Sequence, residues 1–177
     1  CAHQNQAMPY SEELEDPAAN HNDVKRSQLW GYMAAQEFAL VSPAMHYEFL
    51  LQYQIPIMSK FGLVAYGCCE DLTNKIDIVK KIPNLRRIAV SPFADVAKCA
   101  EQIGKDYIMS YRPSPADMVS YGLDNDRIRA ILKQDLEASK DCHVDITLKD
   151  IETVQGDPDR IRNWVALTRQ VIDEVYG

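Results

Sequence analysis

The sequence predicts an α/β protein of about five β-α units, parallel strands with helices outside them, making up a little over half of an eightfold (β/α) barrel. Two observations predict it. From Gly62 onward, short apolar runs alternate four times with helix-patterned segments, and a weaker β-α pair stands in front. Repeated β-α units form parallel sheets, because each right-handed crossover leaves its helix outside the sheet. The second observation is length: a complete eightfold barrel takes about 250 residues, and this chain has 177. A small doubly wound sheet is the alternative, but no glycine-rich G-x-G-x-x-G loop supports a nucleotide site.

Residues 1–29 carry little apolar periodicity. Met8-Pro9-Tyr10 and Asp16-Pro17 break the chain there, which reads as an irregular arm with a short helix near 24–29. Residues 30–177 read as the partial barrel domain. Its first strand is expected over 32–38, ending in polar Gln36 and Glu37. Ser42-Pro43 opens a helix, with Ser as the cap and Pro at the first helical position. Met45, Phe49 and Tyr53 recur every fourth residue and predict its apolar face, while Pro56 kinks or restarts it before Gly62.

The apolar run 63–66 is a buried strand, followed by a helix over 72–82 with Ile76, Val79 and Ile82 inward. A strand over 86–91, a helix over 94–103 closed by Gly104, and a strand over 106–111 come next, then a turn at 115–123. Asp124-Asn125 caps a helix that buries Ile128, Ile131, Leu132 and Leu136. After a strand over 143–147, Asp157-Pro158 starts the last helix, with Ile161, Trp164, Val165, Thr168, Val171, Ile172 and Val175 on one side.

Composition is that of a soluble globular domain, 46% hydrophobic and 25% charged with a mean hydropathy of −0.31. A net charge of −7 argues against broad electrostatic binding of nucleic acid or anionic lipid. No run of about 20 apolar residues proposes a membrane span. Cys1, Cys68, Cys69, Cys99 and Cys142 are odd in number and irregularly spaced, which reads as reduced thiols in a cytoplasmic protein. The chain begins with Cys1, as a piece cut from a longer protein would. A barrel lacking its first strands leaves sheet edges open, so a homo-oligomer or a missing N-terminal half is expected to cover them.

The expected strand ends carry Gln36 and Glu37; Cys68, Cys69 and Glu70; Ser91; Ser110, Tyr111 and Arg112; and Thr147, Lys149 and Asp150. In a barrel these converge on one mouth, where active sites lie. Cys68-Cys69-Glu70 stands out, because soft thiolates suit zinc and a neighbouring carboxylate can be a ligand or a base. Adjacent strand residues point to opposite faces, so both thiols reach one ion only if the strand has ended. A buried apolar cysteine is the plain alternative. Cys99 reads as packing, His143 as the opposite end of its strand, and His46 as a cap or surface residue. Arg112 offers a bidentate fork to a carboxylate or phosphate, whereas Arg86-Arg87 reads as a solvated pair.

Ser42-Pro43 with its helix, Tyr66-Gly-Cys-Cys-Glu70, Ile88-Ala-Val-Ser-Pro92, the strand 107–111 and Gly156-Asp-Pro158 together resemble the C-terminal part of the uroporphyrinogen decarboxylase superfamily. The resemblance covers residues 30–177 and implies a TIM-type (β/α)8 barrel. That superfamily holds porphyrinogen decarboxylases and methyltransferases that use corrinoid proteins. In the methyltransferase branch a His-x-Cys motif and a later Cys bind zinc. The matching place here is Tyr66-Gly67-Cys68 or Gly67-Cys68-Cys69; the His is absent, and no Cys stands near 149–152. Cys68 or Cys69, with Glu70, is what carries over.

The resemblance implies a fragment of a corrinoid-linked methyltransferase or demethylase acting on a small methylated substrate. Cys68, Cys69 and Glu70 would polarise the reacting sulfur or oxygen through zinc. Gln36 and Glu37 would orient it, Arg112 and Tyr111 would bind substrate, and a partner protein would carry the corrinoid. A non-catalytic half-barrel that binds a ligand or partner is the alternative.

Overall fold

In the computed structural model, which describes Leu14, residues 25–120 and residues 122–177, five parallel strands form one sheet. They are β1 (Trp30–Met33), β2 (Leu63–Tyr66), β3 (Leu85–Val90), β4 (Ile108–Tyr111) and β5 (His143–Ile146), and their order in the sheet is their order in the chain. Each crossover therefore moves the chain one place onward, with no reversal. The helices are α1 (Pro43–His46), α2 (Gln52–Met58), α3 (Ile76–Val79), α4 (Val96–Ile103), α5 (Pro115–Val119), α6 (Asn125–Ala138) and α7 (Asp159–Tyr176). A π turn over Tyr47–Leu51 joins α1 to α2. Among the described residues no helix is long and apolar enough to cross a membrane.

The two-residue period of the strands divides the sheet into two unlike faces. Val64, Tyr66, Ile88, Val90, Met109 and Tyr111 share one core with helix residues such as Ile76, Ile103, Leu132 and Leu136. The other face carries a small separate cluster of Trp30, Leu63 and Ala65, against which Leu14 and Tyr32 pack. Arg87, paired in register with Ala65, and Asp145, paired with Ser110, lie on that second face. Arg87 donates from Nε and Nη2 to the Asp145 carboxylate at 2.7 and 2.6 Å, and the Ser110 hydroxyl donates to the same carboxylate at 3.0 Å. Arg87 is thus buried, and not half of a solvated pair. Its strand position turns it inward, where a carboxylate two strands away neutralises it.

Other differences from the sequence reading have local causes. Strand β1 stops at Met33, and Gln36–Phe38 form a 3-10 turn that leaves Gln36 and Glu37 exposed. The ladder ends there because its partner β2 ends at Tyr66, and the Ala35 N–H is taken by a side chain instead. Met45, Phe49 and Tyr53 do not face the core: they are 49%, 56% and 65% exposed. The buried side of that helix carries His46, Leu51 and Met58, and the π turn shifts its phase. Pro56 lies within α2 without ending it.

Only Ile76–Val79 of 72–82 is helical, although Ile76, Val79 and Ile82 are buried as expected. The expected turn at 115–123 contains α5, with Pro115 in its first turn and Ser114 as its cap. In α7, Ile161 and Val165 point outward and Leu167 joins Trp164, Thr168, Val171 and Val175 inside. Of the expected arm over 1–29, Arg26–Gln28 form a 3-10 turn and most of the rest lies outside the described residues.

Candidate functional site

Strand β2 delivers the two thiols. It ends at Tyr66, and Gly67 turns the chain at a φ of 97°, a conformation that side chains with a Cβ disfavour. The space is tight as well, since a Cβ at Gly67 would lie 2.7 Å from Leu72 Cδ1. Beyond this turn the strand alternation is lost, so Cys68 and Cys69 stand together with their Sγ atoms 3.6 Å apart. Glu70 folds back beneath them, 2% exposed. Its Oε1 accepts the Ala35 N–H at 2.7 Å and its Oε2 accepts the Cys68 N–H at 2.8 Å. From the end of β4, Arg112 Nη1 donates to the Cys68 carbonyl at 3.0 Å. The loop is thereby fixed from the β1 side through Glu70 and from the far side through the end of β4.

The cation beside the thiols comes from across the sheet. Lys149, beyond the end of β5, donates its Nζ to Cys68 Sγ and lies 3.7 Å from Cys69 Sγ. The Cys69 thiol donates to Asp150 Oδ2 at 3.2 Å, and Asp150 holds a left-handed φ of 59°. Tyr32, on the second face of the sheet with Trp30 and Ala65, hydrogen-bonds to Cys68 through its hydroxyl. Burial opposes ionisation of Cys68, but its contacts with Lys149, Tyr32 and Cys69 outweigh it and bring the thiol below its ordinary range. Burial likewise works against the Lys149 charge, and the contact with Cys68 more than offsets it, so the ammonium is held more firmly than usual. Cys69 moves the other way: burial, its bond to Asp150 and its neighbour Cys68 push it up to about 11. The two adjacent cysteines are thus pushed in opposite directions, Cys68 towards the thiolate and Cys69 towards the thiol.

A second polar chain lies behind the loop. His46 is fully buried, neither a cap nor a surface residue, with Nε2 2.9 Å from the Tyr66 hydroxyl. That hydroxyl gives its own proton to Gln54 Oε1 at 3.0 Å, so His46 Nε2 is the donor and its buried Nδ1 carries the lone pair, without a hydrogen-bond partner among the described residues. Lys75 Nζ donates to the carbonyls of Phe38 and Ala39 at 2.5 and 3.1 Å and pins the loop after β1.

A pocket of about 370 Å³ opens over the thiols, lined by Cys68, Cys69, Phe93, Arg112, Lys149 and Asp150. Such a volume suits a small ligand. Among the sequence-predicted site residues, Cys68, Cys69 and Arg112 line this pocket. Glu70 sits under the loop with both oxygens committed to backbone amides, and Gln36 and Glu37 stand exposed on the 3-10 turn. Tyr111 faces the helix layer, where its hydroxyl donates to Asp135 of α6. Residue alternation explains this, since Ser110 takes the second face, beside Asp145. The sequence places Lys149 and Asp150 at a strand end but does not pair them, or Tyr32, with the thiols; its signal for the pairing is a cation just beyond the end of β5.

The spacing of the two sulfurs resembles the roughly 3.8 Å edge of a tetrahedral zinc–thiolate site. The remaining donors do not complete it. Glu70 is engaged from below, the Lys149 ammonium already lies on Cys68, and among the described residues no group of three or more His, Cys, Asp and Glu is placed to hold an ion. No protein-family model, curated protein or solved structure matches the chain.

Proposed function

We propose that the chain is part of a TIM-type (β/α)8 barrel enzyme of the uroporphyrinogen decarboxylase superfamily, serving methyl transfer to or from a small methylated substrate. The observation that carries the reading is the Cys68–Lys149 pair beside a small pocket at the C-terminal ends of the strands. Parallel strands in chain order, with the helical core on one face, support the barrel, because a doubly wound sheet reverses its order. Its open edges, β1 and β5, are where N-terminal units or a second copy would continue the sheet.

The chemistry is that of a soft nucleophile. The Cys68 thiolate attacks the methyl carbon in line with the bond that breaks; sulfur gains the methyl group, and the leaving atom keeps the electron pair and takes a proton. Lys149 keeps Cys68 in the reactive form and stands where it can supply that proton. Arg112 brings a fixed positive charge to the pocket wall and suits a substrate with an anionic group. A corrin ring exceeds a 370 Å³ pocket, so a corrinoid, which supplies a cobalt methyl carrier when bound, would be presented at the mouth by a partner protein. Thiolate chemistry of this kind belongs in a reducing compartment such as the cytoplasm.

The test is a panel of methylated amines, thioethers and methoxy compounds, offered to the chain with reduced cobalamin. The readouts are the corrinoid absorbance and S-methylation of Cys68 by mass spectrometry. Turnover that disappears in Cys68→Ser supports the reading. If Cys68 is never methylated and Cys68→Ser binds the same compounds unchanged, the reading gives way to a non-catalytic ligand-binding half-barrel. Stoichiometric zinc, lost in both Cys68→Ser and Cys69→Ser, would return a metal to the site.

A further inference from the structure

We propose that Cys68 and Cys69 form a reversible oxidation site, in which a peroxide oxidises Cys68 and Cys69 then closes a disulfide onto it. The inference stands apart from the methyl-transfer reading, because it needs only the two sulfurs and their neighbours. The Sγ atoms are already 3.6 Å apart on one side of the loop. Lys149 lies on the Sγ that must attack, and Asp150 accepts the S–H bond of the Sγ that must follow. The pocket of about 370 Å³ reaches both sulfurs and has room for hydrogen peroxide.

The steps balance with hydrogen peroxide as the oxidant. The Cys68 thiolate attacks one peroxide oxygen, the O–O bond breaks, and the departing hydroxide takes a proton from Lys149 to leave as water. Sulfur is now a sulfenic acid, and solvent returns the proton to Lys149. Cys69 then attacks the sulfenic sulfur, giving its thiol proton through Asp150; the S–O bond breaks and a second water leaves. The two sulfurs lose two electrons, and the peroxide gains them.

Site selectivity follows from the surroundings. Cys69, pushed up to about 11, remains a thiol until Cys68 has reacted. Cys99 is fully buried and also pushed up to about 11, and burial raises Cys142. Neither has a cation on its sulfur among the hydrogen bonds described for it. Closure is also easily undone. Adjacent Cα atoms are about 3.8 Å apart, nearer than the roughly 4.4–6.8 Å of relaxed disulfides, and such strain makes the bond more reducible. Oxidation removes the anion from Lys149 and leaves it beside Asp150, 3.3 Å away.

Peptide mass spectrometry after one equivalent of hydrogen peroxide tests this on the whole chain. The tryptic peptide 61–75 should lose two hydrogens without linking two chains, and dithiothreitol should restore them. Cys69→Ser should stop at a sulfenic acid that dimedone traps at residue 68. Lys149→Met, with an unchanged circular dichroism spectrum, should oxidise about tenfold more slowly at neutral pH. The proposal fails if the peptide keeps both thiols while Cys142 oxidises, if the bond forms between chains, or if Cys69→Ser yields no dimedone adduct.

Discussion

Lys149 and Cys68 stand 81 positions apart in the chain, on loops that follow strands separated by two others, and the lysine ammonium rests on the cysteine sulfur. The contact depends on the sheet as a whole. β2 and β5 meet only through β3 and β4, and the Arg87–Asp145 ion pair on the second face ties β3 to β5. A thiol whose acidity is raised by so distant a residue reports on the fold as well as on its own loop.

Replacing Lys149 with Met should therefore raise the Cys68 thiol towards its ordinary range and lower its thiolate fraction at neutral pH. Alkylation of Cys68 by iodoacetamide should slow about tenfold at pH 7 and recover at high pH. Cys69, already protonated, should change little. Equal alkylation rates at Cys68 in both proteins would show that Lys149 does not set its charge.

Strands β2 to β5 were legible in the sequence because each is a short apolar run between breakers, and α6 because Ile128, Leu132 and Leu136 repeat at helical spacing. The end of β1 was not, since Ala34-Ala35-Gln36 carries no period and the ladder stops where β2 stops. Met45, Phe49 and Tyr53 do carry a period, yet face outward. Periodicity marks an apolar stripe without saying which side is anchored, and here His46 and Gln54 fix the helix to Tyr66 of β2. The thiols were legible as a local motif. Their charge was not, because it is set by contacts between strands whose register no local pattern records.

Removing one side of the Arg87–Asp145 pair should be costly. Arg87 keeps 4% of its side chain exposed, whereas Asp145 keeps 31%. Asp145→Ala strands a buried guanidinium and should destabilise by about 2–4 kcal/mol in urea unfolding, the partial exposure of Asp145 keeping it below the loss of a fully buried pair. The double variant Arg87→Met with Asp145→Leu should recover more than half of that loss. A double variant no more stable than Asp145→Ala would mean that the pair supplies something beyond mutual neutralisation.

His46 predicts an acid-sensitive fold. Burial lowers its pKa, with Lys75 adding to the effect and Glu70 opposing it. The unfolded imidazole takes its proton near about 6.5, and the folded one only at lower pH. The stability involved is complete above the unfolded value and is lost as pH falls through it towards the folded one. Between pH about 7.5 and about 5, the urea midpoint of the wild type should fall more steeply than that of His46→Gln. Parallel slopes would place the acid sensitivity elsewhere.

Gly67 should be intolerant of even a methyl group. Its φ of 97° and the 2.7 Å approach of Leu72 Cδ1 both oppose a Cβ. Gly67→Ala should cost about 1–3 kcal/mol and move the thiols apart. A bifunctional arsenical, which needs both sulfurs on one side, should then label the pair poorly, while single alkylation continues. Unchanged arsenical labelling in Gly67→Ala would show that another feature of the loop holds the sulfurs together.

Glu70 separates a brace from a base. Both of its oxygens accept backbone N–H groups, one from Ala35 beyond β1 and one from Cys68 beyond β2. A glutamine keeps one acceptor and turns an amide donor towards the other N–H, so Glu70→Gln should lose about 1–3 kcal/mol in unfolding. The same substitution should alter Cys68 alkylation in proportion to the loosening of its loop, and Glu70→Asp, too short to span both amides, should not rescue it. A base acting on substrate would leave the opposite signature: Glu70→Gln as stable as the wild type, Cys68 alkylated at the normal rate, and turnover alone abolished.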